Sequence, residues 1–464
     1  MPEGLRLHDR EGILRHAEGL ILQAWRSFDH ARPTQPPVGD QLRELLSMPV
    51  PERPSDPRAC LDAAAQVLDV SIAQPRPRYF AYVGSSGLEI GVLGDALMAC
   101  HDVNVAVHAG GADLLEAQVV RWVGEFVGFG ATDGLMASGG TISNLTALCA
   151  ARERAAPGFR ERGGAGTPLT LYCSREAHYS VRRAAEVLGI GGGNVRAIPV
   201  DGDRRIDPQV CADAIDADVR AGMAPVAVVA TTGTTLTGAV DDLDALADVC
   251  AERGVWLHAD GAYGLPAAAT ATAGPLFAGL DRTDSATVDA HKWLYVPKAC
   301  SVLLVREPRS LVAAFAHNES YMPHVESEPP HAVDRTLEYS RPLRALKLWL
   351  AFSVHGAAAI RAALERNLEE ARLLHALIAE RPHFEAVHAP QLSALNFRHA
   401  PPGAADLDAH NLRLAHAIQE DGRIYLAPSV VDGVSCLRAC FVNYRTTDDD
   451  VRALLDVVED LATR

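Results

Sequence analysis

Lysine is nearly missing from this chain. Only Lys292, Lys298 and Lys347 occur, and arginine supplies almost all other positive charge. Acidic residues outnumber basic ones, leaving a formal net charge of −16. A chain of that sign lacks the basic face that nucleic acid or an anionic membrane surface requires, so neither partner is expected. The nine cysteines are an odd number and form no Cys-x-x-Cys pair; they read as reduced cytosolic thiols, mostly buried. Residues 1–10 are charged and hold no apolar stretch of the signal-peptide kind, which makes a cytoplasmic location the expectation. No continuously apolar run reaches membrane-span length, because the long uncharged stretches 221–240 and 261–280 are broken by glycine, proline and threonine, and neither an internal repeat nor a low-complexity tract is found.

What is present is ordinary for a large soluble protein. Hydrophobic residues make up 48% and charged residues 22% of 464 residues, enough for two or three domains with sizeable cores. Residues 11–28 and 58–73 carry apolar positions at helical spacing, joined by a proline-rich connector. These helices have few neighbours in their own segment, so they are expected to pack on another domain or another subunit. An aromatic and glycine-rich loop follows at 76–87, then helices at 88–100 and 112–128. From residue 130 apolar strand-length runs alternate with amphipathic helices. Strands are predicted at 169–173, 195–200, 225–231, 255–260 and 284–289, with helices at 141–155, 178–189, 207–221 and 241–253. This alternation predicts an α/β fold with a mostly parallel sheet covered on both faces. A long helical run at 341–380 leads to strands at 394–398, 423–427 and 435–442 and helices at 406–420 and 447–462. That part reads as a smaller α+β domain.

In such sheets ligands bind beyond the carboxyl ends of the strands, so the polar residues there matter most. Ser138-Gly139-Gly140-Thr141 opens a helix and offers bare backbone N–H groups and a hydroxyl, which suit a phosphate. Its spacing fits neither a Walker loop nor a dinucleotide fingerprint, and a plain N-cap is the alternative. His178 follows a strand and could stack on a flat ligand, shuttle a proton, or simply cap a helix. Thr231 heads a run of hydroxyls, which reads as ligand contacts or as a threonine-rich turn. Asp260, in His258-Ala259-Asp260-Gly261-Ala262, could pair with a protonated ring nitrogen, or cap the next segment. Metal binding there lacks further ligands at the usual spacing. Lys292 lies in Asp289-Ala290-His291-Lys292-Trp293, walled by apolar and aromatic neighbours. Desolvation is expected to lower its pKa and expose a neutral amine for Schiff-base chemistry; the alternative is a stem packed on Trp293 with its head in water. Singly each signal is ambiguous. Their order along successive strand ends matches what pyridoxal phosphate requires: phosphate, ring face, ring oxygen, ring nitrogen and aldehyde.

The same segments resemble the group II pyridoxal-phosphate amino-acid decarboxylases, which include the aromatic-L-amino-acid, histidine and glutamate decarboxylases. The matching stretches are RPRYFAYVGSSG, SGGTISNLTAL, SREAHYSVRRAAEVLGI, TTGTTLTGAVDDL, HADGAYG and DAHKWLYVP, covering roughly residues 75–350. The resemblance implies the fold-type-I architecture, with a mostly parallel seven-stranded sheet. It divides the chain into an N-terminal helical segment (1–78) packing on a partner subunit, a large cofactor-binding domain (79–345) and a C-terminal α+β domain (346–464). It implies pyridoxal 5'-phosphate as cofactor, no metal, and a homodimer. The implied reaction is decarboxylation of an L-amino acid, aromatic favoured, to the amine and CO2. A polar or cationic substrate, an aldehyde synthase and another fold-type-I enzyme are the alternatives. Residue by residue, Lys292 resembles the cofactor-linked lysine and Asp260 the partner of the ring nitrogen. His178 and Ala262 resemble the ring's neighbours, Gly140 and Thr141 the phosphate ligands with Asp289 nearby, and Thr231 the contact at the ring's substituent edge. His291 would sit beside cofactor and substrate, with Tyr82 and Asn104 also on the substrate side. Tyr321, in a polar segment at 315–330, resembles the loop tyrosine that returns a proton to the substrate carbon; relatives with phenylalanine there tend to be aldehyde synthases. Departures from the family pattern are Ala259 and Gly261, each smaller than usual, Pro342 after Arg341, and a more polar 101–104 stretch than animal aromatic decarboxylases have.

Overall fold

The computed structural model describes residues 7–31, 37–130, 133–164, 166, 168–317 and 330–463. Its central feature is a seven-stranded sheet built from β1 (Asp133–Ala137), β2 (Leu169–Ser174), β3 (Val195–Ile198), β4 (Ala224–Thr231), β5 (Trp256–Asp260), β6 (Ser285–Val288) and β7 (Ser301–Val305). The spatial order is β1-β7-β6-β5-β4-β2-β3. Only β7 runs against its neighbours in this sheet. The middle of β4 shows why these residues make a strand buried on both faces. Val228 and Ala230 join one apolar cluster while Ala227 and Val229 join the other. Side chains alternate across a strand, so a run apolar at every position can only be buried on both sides. Parallel neighbours then carry their carboxyl ends to one edge. The helix Gly140–Ala155 packs against β4, β5, β6 and β7, placing its first turn at that edge.

A second sheet of four antiparallel strands follows: β8 (Phe384–Ala386), β9 (Ala394–His399), β10 (Ala427–Val431) and β11 (Val434–Cys440), in the order β10-β11-β9-β8. Its apolar face, with helices Leu407–Asp421 and Asp448–Ala462, forms a third cluster containing Phe397, Leu437, Leu414 and Leu454. The helix Ala345–Glu380 joins the two parts and breaks its helical geometry at Gly356, where φ is 77°. Glycine takes that left-handed conformation without the Cβ clash other residues suffer.

The sequence did not single out β1, β7 or β8, nor the short helix Asp40–Leu46 inside the proline-rich connector. The strand expected at 423–427 begins instead at Ala427. Tyr425 is engaged elsewhere, with its N–H bonded to Arg78 O at 3.0 Å and its carbonyl accepting from Phe80 N at 2.9 Å. The long helix starts at residue 345 rather than 341. Pro342 disfavours helix at Arg341, and the fully buried Arg341 guanidinium pairs with Glu116 at 2.7 Å and donates to Met136 O at 2.7 Å. At the N-terminus, helices Arg10–Phe28 and Pro57–Asp69 leave Leu14, Leu22 and Leu68 exposed.

Candidate active site

The carboxyl ends of the parallel strands open onto a cavity of about 370 Å³. Each wall residue is delivered by a local feature of the chain. The first turn of helix Gly140–Ala155 supplies Gly140 and Thr141, whose N–H groups have no intrahelical acceptor at that position. The turn after β2 supplies His178, the last residue of β4 is Thr231, and the last of β5 is Asp260. Ala262 follows in the next turn. Asp289 directly follows β6 and caps the single helical turn Ala290–Trp293, which carries His291 and Lys292. Nine of the expected site residues therefore meet at one place: Gly140, Thr141, His178, Thr231, Asp260, Ala262, Asp289, His291 and Lys292.

Lys292 Nζ lies 2.9 Å from Asp289 Oδ2, one helical turn away. Burial pushes the amine's pKa down, but the charge and hydrogen bond of Asp289 and the charge of Asp260 outweigh it, so the net direction is up. This reverses the expectation drawn from the aromatic neighbours, which did not count the carboxylate three residues earlier. Trp293 Nε1 and the Tyr295 hydroxyl both donate to Asn367 Oδ1, at 2.9 and 2.8 Å, locking the aromatics beside the lysine. Asp260 is buried and accepts from Asn144 Nδ2 at 2.9 Å and from the Ala262 N–H at 3.3 Å. His178 is held by Ser180, whose Oγ lies 2.9 Å from Nδ1. Burial lowers its pKa, the Asp260 charge opposing and the Lys292 charge adding to the effect. His291 Nδ1 lies 2.8 Å from Cys300 O, and burial likewise holds that ring toward the neutral form.

Three features fit this wall to pyridoxal phosphate. Thr231 Oγ1 and Asp289 Oδ1 are buried without a hydrogen-bond partner among the described residues, so the wall carries polar oxygens that the protein itself leaves unmatched. A Cβ at Gly140 would meet Ala262 Cβ at 2.8 Å and Asp289 Oδ2 at 2.9 Å, so backbone alone can form this part of the cradle. A lysine amine and a separate carboxylate, Lys292 and Asp260, face one cavity, which matches the aldehyde and the ring nitrogen of that group.

The fold and this donor set define a fold-type-I pyridoxal-phosphate enzyme. The family model for the pyridoxal-dependent decarboxylase conserved domain matches residues 39–400, and the chain belongs to that family. It is a pyridoxal-phosphate-dependent carboxy-lyase acting on an amino acid. Among its relatives is the aromatic-L-amino-acid decarboxylase of Bacillus atrophaeus, 32% identical over 433 residues, covering 91% of this chain and 89% of that protein. The cysteine sulfinic acid decarboxylase of Rattus norvegicus is 30% identical over 404 residues, covering 84% and 82%. The crystal structure of mouse CSAD superposes with a TM-score of 0.89 at 26% identity, covering 97% of this chain and 98% of that one.

The remaining expected residues lie elsewhere. Tyr82 is exposed, with a left-handed φ of 56°, and does not line this cavity. Asn104 is also outside it; its Oδ1 accepts the Arg341 N–H at 2.9 Å. Tyr321 falls outside the described residues. Sequence reasoning missed several wall residues, among them Asn144, Ser180 and Lys298. Asn144 stands four residues after Gly140, so helical spacing alone puts it on the same face. Lys298 lines the cavity on the loop leading from Lys292 into β7, and its rarity in this chain was a signal.

Proposed function

We propose that this chain decarboxylates an aromatic L-amino acid to its amine, with Lys292 as the covalent anchor of pyridoxal phosphate. One observation carries the reading: Lys292, Asp260, His178 and the Gly140–Thr141 turn converge on one cavity. When bound, the cofactor supplies an aldehyde and a cationic ring that accepts the electron pair released as the carboxylate leaves. Gly140 and Thr141 would hold its phosphate, His178 and Ala262 its ring, and Thr231 its substituent edge. Asp260, held by Asn144 and the Ala262 N–H, would pair with the ring nitrogen and keep a proton there. Asp289 orients the Lys292 amine. His291 is proposed to face the substrate. Tyr321 returns a proton to the substrate carbon, a role that rests on the family resemblance.

Further parts of the reading concern the assembly. Residues 1–78 form a helical segment that docks on a second copy, residues 79–345 the cofactor domain and residues 346–464 the C-terminal domain. The homodimer rests on the family resemblance, and exposed Leu14, Leu22 and Leu68 on the N-terminal helices would find cover in such an assembly. Tyr82 and Asn104 would reach substrate only in that assembly. A cytoplasmic location is consistent with nine free thiols.

A second reading, an acidic side chain, is favoured by Lys298. Its Nζ contacts the neutral Gln74 Oε1 at 2.7 Å, and burial and the Lys292 charge both lower its pKa. A cation beside a lysine would be relieved by an anionic ligand group. Screening the twenty amino acids for CO2 release distinguishes the two. Release from aromatic substrates supports the first; release from acidic substrates alone, abolished in Lys298→Met, replaces it with the second.

A further inference from the structure

Beneath Asp260 and His178 runs a buried line of hydrogen bonds with a definite direction. Trp256 Nε1 donates to Ser285 Oγ at 2.8 Å. Ser285 Oγ lies 2.8 Å from His258 Nδ1, and His258 Nε2 lies 3.0 Å from Asn144 Oδ1. Asn144 Nδ2 then reaches both Asp260 Oδ2 at 2.9 Å and Ser180 Oγ at 3.1 Å. Ser180 Oγ lies 2.9 Å from His178 Nδ1, and the Ser180 N–H points at the same nitrogen at 3.3 Å.

The two ends of this line have fixed chemistry. An indole N–H can only donate, and at the other end the Asn144 Nδ2 amide lies against Asp260 Oδ2 as a donor. Asn144 must therefore turn its NH2 to Asp260 and its carbonyl to His258. The His258 proton then sits on Nε2, which leaves Nδ1 to accept from the Ser285 hydroxyl, whose oxygen accepts from Trp256. On the other branch Ser180 accepts from Asn144 and donates to His178 Nδ1, so the His178 proton sits on Nε2. Running the line backwards requires a protonated Asp260 and aims both the Trp256 and His258 protons at Ser285 Oγ, stranding the serine proton. The Thr287 hydroxyl, 3.4 Å from His258 Nε2, is a weaker contact compatible with the forward direction. Burial lowers the His258 pKa to about 4, the Asp260 charge and Ser285 opposing, which keeps the ring neutral, as a single-tautomer link must be.

We propose that Trp256, Ser285, His258 and Asn144 are positioning residues, a one-way relay of donors that holds Asp260 as an acceptor-only carboxylate and His178 as the Nε2–H tautomer. The relay acts from below the cavity, so it sets the state of two wall residues at once through a single amide, whatever the substrate.

Neutron diffraction from deuterium-exchanged crystals of the holoenzyme tests it directly. Deuterium on Nε2 of both His258 and His178, with bare Nδ1 atoms, is the expected result; deuterium on Nδ1 of either ring overturns the relay. Variants supply a second readout, cofactor affinity by absorbance titration. His258→Leu, which lets Asn144 rotate, is expected to weaken cofactor binding about tenfold, the scale of one hydrogen bond to a charged group. His258→Gln, which still offers a donor to Asn144 and an acceptor to Ser285, is expected to restore most of it. Equal affinity in His258→Leu and wild type, or no rescue by glutamine, contradicts the proposal. If His258→Leu does not fold, the neutron map of the wild type still decides.

Discussion

Lowering the pH from 7 to 4 should destabilise this protein through His258, and His258→Gln should remove that part of the loss. The ring is fully buried between Ser285 and Asn144, and burial drives its folded pKa to about 4, against 6.5 for the free side chain. Above pH 6.5 the ring is neutral in both folded and unfolded chains and contributes no pH dependence. Between 6.5 and 4 the unfolded chain binds a proton that the folded chain refuses, so stability falls as pH falls. A difference of about 2.5 units at about 1.4 kcal/mol each gives roughly 3 kcal/mol by pH 4. An unfolding entropy of about 2.1 cal/mol/K per residue over 464 residues is about 1 kcal/mol/K, so the loss amounts to about 3 °C in melting midpoint. The assay is a series of thermal melts at fixed scan rate and ionic strength from pH 7 to 4, on wild type and His258→Gln. His178, His291 and His388 also have lowered pKa values and steepen both curves alike. The difference between the curves should be constant above pH 6.5 and narrow by about 3 °C toward pH 4. Parallel curves throughout would refute the assigned neutrality of His258.

Other substitutions separate the roles of the wall residues. Gly140→Ala places a Cβ against Ala262 and Asp289 and should weaken pyridoxal phosphate binding by tenfold or more, while costing about 1–3 kcal/mol of stability; absorbance titration and a thermal melt read the two effects separately. Thr231→Val should leave the cofactor-free protein as stable as wild type or slightly more so, because it deletes a buried oxygen with no partner among the described residues, yet weaken cofactor binding. A destabilised cofactor-free protein would show that the hydroxyl is already satisfied. Asp289→Asn removes the carboxylate charge beside Lys292 and should lower the pKa of that amine, read by the pH dependence of its trapping by an aldehyde reagent; an unchanged profile contradicts the assigned cause. Tyr321→Phe should divert turnover from amine toward aldehyde and ammonia, and an unchanged amine yield removes the tyrosine from the reaction.

The central strands are legible in the sequence because a strand buried on both faces is apolar at nearly every position, as in β4. β1 is harder to see, since Asp133 and Gly134 interrupt the pattern within five residues, and Gly134 is required there by the approach of Leu303 O. β7 is only five residues long, too short a run for local pattern alone to separate it from the loop that follows Lys292. The position of β10 was beyond local pattern, because it depends on Arg78 and Phe80 taking the backbone of Tyr425 from far along the chain. Most of the cavity wall was legible for a topological reason: each residue ends a strand or begins a helix, and parallel strands carry those points to one edge. Asn144 and Lys298 escaped because neither sits at such a boundary. The direction of the Lys292 shift was misread because the aromatic neighbours were weighed and Asp289, on the same helical face, was not. Tyr82 and Asn104 came from the family resemblance alone, and a single chain does not bring them to the cavity.

The account stands on one covalent link, and the most direct measurement locates it. Purified protein supplied with pyridoxal phosphate, reduced with borohydride, digested and read by mass spectrometry should carry the reduced cofactor on the peptide containing Lys292, with none on Lys298 or Lys347. Cofactor fixed to either of those lysines, or to no peptide at all, would contradict it.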